Sequence, residues 1–288
     1  MSKETAPQNS EALLDYPDRR LLLVGRGSLG EAIGHGALDL TGLERPKNVL
    51  VIPSPAPNAK DYKRYIEEPR EAFKGNAKVK ILHGNPNSKT FKDPSPEQIA
   101  NMVGEADVVW ISGGNTTQAR EIFERTGLGQ AILDSEGKVI AGGSAGALLQ
   151  ARQGHSWYTP EGHPEQNNWV TEHGLGMLNA TVGVHNDYVE NEQWGDGKLD
   201  QPRSHYFAPY LQDQWNTNPN APQLGIGIDD ESAIAVTNDG FRVINADGAN
   251  PDRGVTSYHP TESGLYVARF TPASTPDFVP VSHLSQAA

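Results

Sequence analysis

The chain contains no cysteine. Disulfide bonds, a catalytic thiolate and zinc held by cysteine are therefore excluded. Any side-chain nucleophile must then be an oxygen or a nitrogen, which directs the search for chemistry to serine, threonine, histidine and the carboxylates.

Long apolar runs are also missing. No stretch approaches the roughly 20 apolar residues that a membrane-spanning helix needs. The N-terminal sequence MSKETAPQNSEALLDYPDRR lacks the apolar core of a signal peptide. We therefore expect a soluble cytoplasmic protein that makes no contact with a membrane.

Basic residues are outnumbered, with 24 Lys and Arg against 36 Asp and Glu, which gives a formal net charge of −12. That charge repels phosphate backbones, so nucleic acid is not an expected partner. The acidic residues are dispersed, and no His/Asp/Glu group has helix-face spacing such as H-E-x-x-H. We expect neither a metal nor another cofactor.

The order of elements predicts one α/β domain at residues 18–270, between tails at 1–17 and 271–288 that carry no apolar period. Short apolar runs lie at 21–24, 49–52, 79–82, 108–111 and 139–141. Such runs are typical of buried parallel strands, and the segments between them are long enough for helices. Helices are predicted after a Ser95 cap and at 117–125.

The second half of the domain has a different pattern. Short β-type runs, which predict an antiparallel edge to the sheet, lie at 180–184, 233–236, 241–244 and 264–270. Residues 186–222 have no clear period, which predicts a long functional or mobile loop.

The strongest chemical signal is KVIAGGSAGA, from Lys138 to Ala147. A buried strand runs into one serine among small residues and then into a helix-like segment, the form of a nucleophile elbow. Ser144 would be the nucleophile, and the N–H of Ala145 at the helix start could hold an oxyanion. The alternative is a serine that only caps the helix.

A second glycine pair lies in VVWISGGNTT, from Val108 to Thr117. If the two strands are parallel neighbours, both turns lie at one sheet edge, and Gly114 could supply the second oxyanion N–H. Asn115 could bind substrate or cap the following helix. An ordinary Gly-Gly turn is the alternative.

A nucleotide site is suggested by GRGSLG, which begins at Gly25 after a strand. The next strand, however, ends in Pro53-Ser54-Pro55 where a dinucleotide-binding fold has an acidic residue for the ribose. We therefore interpret this loop as part of an active-site rim.

GGNT followed by GGSAGA resembles the peptidase family S51 of aspartyl dipeptidase (peptidase E) and cyanophycinase. The resemblance runs from about Leu21 to Ala235. It implies a three-layer α/β sandwich with a mostly parallel central sheet, the class I glutamine amidotransferase-like (flavodoxin-like) fold. An amidotransferase itself is disfavoured because its nucleophile is cysteine.

The resemblance also implies the partners of Ser144. The family's histidine ends a strand in a segment that ATVGVHN matches, which makes His185 the general base. The family's acid falls in a turn that GIDDES matches, which makes Asp230 the third member, with Glu231 and Glu161 as alternatives. His155, His163, His173 and His205 are expected at the surface, with His205 as the second candidate for the base.

The resemblance implies a serine-type dipeptidase that hydrolyses small aspartyl peptides through an acyl-enzyme. Arg203, in the loop where the family places its aspartate-binding arginine, would hold the substrate carboxylate; an ordinary surface arginine is the alternative. Cyanophycinase-like cleavage of β-aspartyl-arginine and a non-catalytic binding module are the alternative functions. The expected oligomeric state is monomer or homodimer.

Overall fold

The short apolar runs become strands and the segments between them become helices in the computed structural model. It describes residues 13, 14, 16, 18–26, 30–45, 47–56, 59–82, 93–158, 168–187, 202–261, 264–280 and 282–285. In chain order, the strands are β1 (Arg20–Val24), β2 (Lys47–Ile52), β3 (Ala77–Ile81), β4 (Val108–Ile111), β5 (Val139–Gly143), β6 (Ala151–Tyr158), β7 (Asn168–His173), β8 (Leu178–Val184), β9 (Gly225–Ile228), β10 (Ser232–Thr237), β11 (Gly240–Asn245), β12 (Val255–Thr261) and β13 (Gly264–Phe270).

The helices lie between these strands and after them. In chain order they are α1 (Gly30–Asp39), α2 (Ala59–Ala72), α3 (Pro96–Glu105), α4 (Thr116–Thr126), α5 (Leu128–Leu133), α6 (Ala145–Leu148), α7 (Ser204–Thr217) and α8 (Ser282–Ser285). The two predicted helix starts are confirmed: the Ser95 side chain accepts from the N–H of Gln98, and the Asn115 side chain accepts from the N–H of Gln118.

The central sheet has, among the described residues, seven strands in the order β11-β10-β1-β5-β4-β2-β3. Strands β1 to β5 pair in parallel, and β10 and β11 add an antiparallel edge. The five predicted parallel strands and the antiparallel edge at 233–236 and 241–244 are therefore confirmed. The inner strands β1, β4 and β5 are buried on both faces, as their continuous apolar sequences require, whereas the edge strand β3 is only partly buried.

Side chains that alternate along β1 enter two separate cores, because successive residues of a strand point to opposite faces. Leu22 packs on one face with residues of α1 and α2, such as Ile33 and Ile66. Leu23 packs on the other face with residues of α3 to α6, such as Phe123. Helices thus cover both faces of the sheet, and the predicted three-layer α/β fold is confirmed.

A second sheet, which the sequence analysis did not separate from the first, has the order β13-β12-β9-β8-β6-β7 in the described residues. Strands β6, β8 and β9 pair in parallel, and β7, β12 and β13 pair antiparallel. The prediction that the runs at 180–184 and 264–270 join the antiparallel edge of the first sheet is wrong: both lie in this second sheet, and 180–184 is in β8, which pairs in parallel. Its apolar residues Val182 and Ile226 join the core on the α3–α6 face of the central sheet.

The prediction of a continuous loop at 186–222 is wrong for its second half, where α7 forms. Phe207 and Leu211, four residues apart, pack on Tyr258 of β12. Pro209 inside the helix and many polar residues hide this short apolar stripe in the sequence. Residues 188–201 of the predicted loop lie outside the described part of the chain.

Residues on both sides of the predicted domain limits contact the fold. Leu14 forms a β-bridge with Leu178, and Val279 forms one with Phe241. Leu284 in α8 is fully buried. The division into tails and one domain stays a prediction. None of the helices in the described segments has the length and apolar character to cross a bilayer.

We expect Ser95→Ala to lower the free energy of unfolding by about 1 kcal/mol, because the first turn of α3 loses its side-chain acceptor. Urea denaturation monitored by circular dichroism would measure the change. Ser95→Asp, which keeps an acceptor at this exposed cap, is the control and should lose much less. Equal losses in both variants would contradict the assigned cap.

Candidate active site

Ser144 lies at the sharp turn between β5 and α6, with φ of 51° and ψ of −114°. A positive φ is uncommon for a residue with a Cβ and marks local strain. Its N–H donates to the Val24 carbonyl on the neighbouring strand at 2.9 Å. The side chain therefore leaves the end of β5 at an elbow, as the sequence pattern predicts.

The glycines around this serine are required by close backbone contacts. A Cβ on Gly146 would lie 2.0 Å from the Ile111 carbonyl oxygen at the end of β4. A Cβ on Gly142 would lie 2.7 Å from that same oxygen and from the Gly146 backbone. Only glycine lets β4, β5 and α6 approach this closely.

His185 follows β8 and connects the serine to an acid. Its Nε2 lies 3.0 Å from Ser144 Oγ, and its Nδ1 lies 2.6 Å from Asp230 Oδ1. Because a carboxylate can only accept, Nδ1 donates to Asp230, and Nε2 is left to accept from the serine hydroxyl. His185 and Asp230 are both largely shielded, with 11% and 15% of their side chains exposed.

Burial and charge act in opposite directions on this pair. Burial lowers the pKa of His185, the hydrogen bond to Asp230 raises it, and the positive charges of Arg203 and Arg26 lower it further; the net effect is a lowered pKa. Burial raises the pKa of Asp230, but the hydrogen bond to His185, with Arg26 and Arg253, brings it below its ordinary value. A neutral imidazole beside a charged carboxylate follows.

The acid turn, residues 229–231, connects β9 to β10. The Asp230 N–H donates to Asp187 Oδ1 at 2.8 Å. Glu231, an alternative acid in the sequence analysis, has φ of 58° and pairs its carboxylate with Arg253. The hydrogen bond from His185 Nδ1 is made to Asp230. Glu161, the other alternative, lies outside the described residues.

The second glycine pair lies beside Ser144. A Cβ on Gly113 would lie 3.4 Å from the Ser144 Cβ. Gly114 has φ of 135°, and a Cβ there would lie 2.0 Å from the Pro55 carbonyl oxygen. Ala145 is the first residue of α6, so its N–H has no acceptor within the helix. Of the two predicted oxyanion donors, Gly114 thus lies in the loop beside Ser144 and Ala145 directly follows Ser144 in the chain.

The predicted substrate-binding residues border this site in different ways. Asn115 donates its N–H to the Pro55 carbonyl, and its side-chain oxygen caps α4. Arg203, at the start of α7, is close enough to His185 for its charge to lower the histidine pKa. His205, the second candidate for the base, is exposed, as is His173.

The prediction that His155 lies at the surface is wrong. This side chain on β6 is only 3% exposed and stacks on Phe207 and Tyr210, with ring centroids 5.1 and 4.0 Å apart. Burial, with a smaller contribution from the Arg203 charge, lowers its pKa to about 3. The polar residues around His155 in the sequence concealed the aromatic partners that α7 supplies. His163 lies outside the described residues.

Three residues of the site were not singled out from the sequence: Asp187, Arg26 and Arg253. Asp187 and Arg253 form an ion pair with Nε and Oδ2 2.9 Å apart. The Arg26 carbonyl accepts from the Glu231 N–H, which connects the loop after β1 to the acid turn. Only the position of Asp187, two residues after His185, could have indicated its role. Within the described residues, no group of His, Asp and Glu could hold a metal ion.

Comparison with solved structures defines the class of protein. A peptidase from an acI-B1 Actinobacterium superimposes with a TM-score of 0.60 at 21% identity, over 90% of this chain and 96% of that chain. A putative peptidase E protein from Listeria monocytogenes EGD-e gives 0.51 at 16% identity, over 80% and 99%. The fold is therefore the flavodoxin-like α/β sandwich of peptidase E-type proteins.

The particular family follows from the sequence comparison. The model of peptidase family S51 matches residues 21–244, so the chain belongs to this family. An uncharacterized peptidase of Pasteurella multocida (strain Pm70) is 29% identical over 117 residues, which are 40% of this chain and 53% of that protein. The match thus spans about half the length of this curated relative.

Protonation of buried His155 should make the fold acid-sensitive. Its folded-state pKa of about 3 lies below the value of about 6.5 for an unfolded histidine. The contribution of neutral His155 to the free energy of unfolding is therefore fully present above about pH 6.5. It is lost as the pH decreases toward 3, by up to about 1.4 kcal/mol per pH unit. We expect His155→Phe to make the dependence of Tm on pH between 7 and 5 shallower.

The control is His173→Phe, which changes an exposed histidine and should keep the wild-type pH dependence. Differential scanning fluorimetry at several pH values would provide the comparison. An identical slope in wild type and His155→Phe would mean that His155 is accessible to protons in the folded state.

Proposed function

We propose that the protein is a serine peptidase that hydrolyses small aspartyl peptides through a Ser144-His185-Asp230 triad. The observation that carries the proposal is the continuous hydrogen-bond chain from Ser144 Oγ through His185 to Asp230, at 3.0 and 2.6 Å. A serine that only caps a helix would need no such chain. Ser144 also makes no side-chain capping bond to α6.

The chemistry follows from the geometry. His185 Nε2 removes the proton of Ser144 as the oxygen attacks the acyl carbon, and Asp230 stabilises the resulting imidazolium. The N–H groups of Gly114 and Ala145 hold the oxyanion, and His185 then protonates the leaving amine. Water, activated by the same histidine, hydrolyses the acyl-enzyme and frees Ser144. No step calls for a metal or another cofactor.

The substrate is proposed from the charges around the site. Arg203 lies near His185, and a guanidinium can hold a carboxylate through two parallel hydrogen bonds. A free aspartyl carboxylate would place the adjacent acyl carbon close to the nucleophile. Asn115, in the loop beside Ser144, contributes its amide to the substrate amine or carbonyl.

A cyanophycinase-like activity on β-aspartyl-arginine is the second candidate. It is supported by Gly227-Ile228-Asp229, which resembles the cyanophycinase form of the acid turn, and by a net charge of −12 that suits a cationic product. A non-catalytic binding module on this fold remains the alternative from another class. A small peptide partner, a cytoplasmic location and a monomer or homodimer complete the proposal.

Loss of any triad side chain should abolish turnover. For Ser144→Ala, His185→Gln and Asp230→Asn we expect kcat/KM to fall about a thousandfold or more. Release of free amine from Asp-Leu, Glu-Leu, Ala-Leu and β-Asp-Arg would measure the rate and separate the two candidate activities. His205→Gln, which changes an exposed histidine, is the control and should keep wild-type rates. Full activity in Ser144→Ala would refute the triad.

Arg203 should determine the preference for a carboxylate. We expect Arg203→Ala to lower kcat/KM for Asp-Leu about ten- to a hundredfold, because a charge-assisted hydrogen bond to the substrate is lost. Cleavage of Asn-Leu, which lacks the carboxylate and which we expect to be slow in the wild type, should change little, so the ratio of the Asp-Leu rate to the Asn-Leu rate would fall. Arg203→Lys should recover part of the loss through its charge. An unchanged Asp-Leu to Asn-Leu ratio would assign carboxylate recognition to another residue.

A further inference from the structure

The acid turn is held by residues that lie outside the span matched by the family model, which ends at residue 244. Arg253, just before β12, contacts two carboxylates at once. Its Nε lies 2.9 Å from Asp187 Oδ2, and its Nη1 donates to Glu231. A guanidinium presents its donors in a rigid fork, so one side chain can fix both carboxylates relative to each other.

Asp187 connects Arg253 to the triad residue Asp230. Its second oxygen, Oδ1, accepts from the backbone N–H of Asp230 at 2.8 Å. Asp187 is also two residues after His185 in the chain. The same carboxylate therefore connects the end of β8, which carries the base, to the backbone of the acid, while Arg253 holds its other oxygen.

The Glu231 contact restrains the opposite side of the turn. Glu231 has φ of 58°, a conformation that side-chain-bearing residues adopt at a cost in free energy. Its N–H is bonded to the Arg26 carbonyl and its carboxylate to Arg253, so both its backbone and its side chain are fixed. Asp230 thus has Asp187 bound to its N–H and Glu231 next to it in the chain, and Arg253 binds the carboxylates of both.

The residue before Asp230 is anchored independently. Asp229 is 1% exposed and accepts from Arg269 on β13 and from the Gly254 N–H. Arg269, the cation of this second ion pair, also lies beyond residue 244. It fixes the start of the turn, whereas Arg253 binds the carboxylates of Asp187 and Glu231 on either side of the acid.

We propose that Arg253 is a positioning residue for the triad, which holds the Asp230 carboxylate against His185 Nδ1 by fixing Asp187 and Glu231. The inference rests on the proposed function. Its reason is geometric: aspartate has a single methylene between its Cα and its carboxyl carbon, so its carboxylate reaches the imidazole only if the backbone of the turn is held close. A small shift of the turn would then disrupt the contact at 2.6 Å.

The test reads the tautomer of His185 directly. In protein labelled with ¹⁵N in its histidine imidazoles, with the signal assigned by His185→Gln, the wild type should carry its proton on Nδ1, facing Asp230. In Arg253→Gln we expect a mixture of tautomers, because the imidazole loses its fixed acceptor. For the peptide that the wild type cleaves, kcat should fall about ten- to a hundredfold, with KM within about threefold of wild type.

Arg45→Gln is the matched control. Arg45 likewise pairs with a carboxylate, that of Asp107, which also accepts the backbone N–H of Asn48. This ion pair lies where β2 and β4 begin, whereas the Ser144 turn follows the end of the parallel strand β5. This variant should keep the wild-type tautomer and kcat. If it changes them as Arg253→Gln does, the effect is general destabilisation and the proposal is wrong.

Two Asp187 variants keep the test decisive if Arg253→Gln folds poorly. Asp187→Asn keeps an oxygen that can accept from the Asp230 N–H, whereas Asp187→Ala removes it. We expect the tautomer mixture and the loss of kcat in Asp187→Ala, and smaller changes in Asp187→Asn.

A wild-type tautomer in both Arg253→Gln and Asp187→Ala would overturn the positioning role. The spectra need no turnover, so they decide this role separately from the proposed function. Full activity in Ser144→Ala would count against the function alone.

Discussion

The strained backbone of Ser144 is the constraint on which the rest of the site depends. The φ of 51° is sustained by the close contact of β4, β5 and α6, and that contact exists because Gly142 and Gly146 present no Cβ to the Ile111 carbonyl. The turn holds the hydroxyl 3.0 Å from His185. The same turn places the start of α6, and with it the Ala145 N–H, beside the Gly114 loop.

Much of this arrangement could be predicted because it depends on local sequence patterns. Buried parallel strands give continuous apolar runs, and helix caps such as Ser95 and Asn115 act within three residues of themselves. The elbow at Ser144 is likewise a local motif. His185 and Asp230 carry little local signal of their own, and only the family resemblance distinguished them from other histidines and acids.

The parts that could not be predicted depend on contacts between distant segments. The burial of His155 follows from aromatic rings of α7, and α7 itself is stabilised by Tyr258 of a strand further along the chain. The Asp187–Arg253 pair likewise joins two segments with no shared motif. A charged residue in a polar stretch has the same local sequence whether it is solvated or paired, so only the tertiary structure separates the two cases.

The proposed triad is divided between the two sheets. Ser144 ends β5 of the central sheet, His185 ends β8 of the second sheet, and Asp230 lies where the chain crosses from β9 back to β10. A molecule in which only one of the two sheets is formed would lack a complete triad, so the proposed activity requires both sheets to be in place.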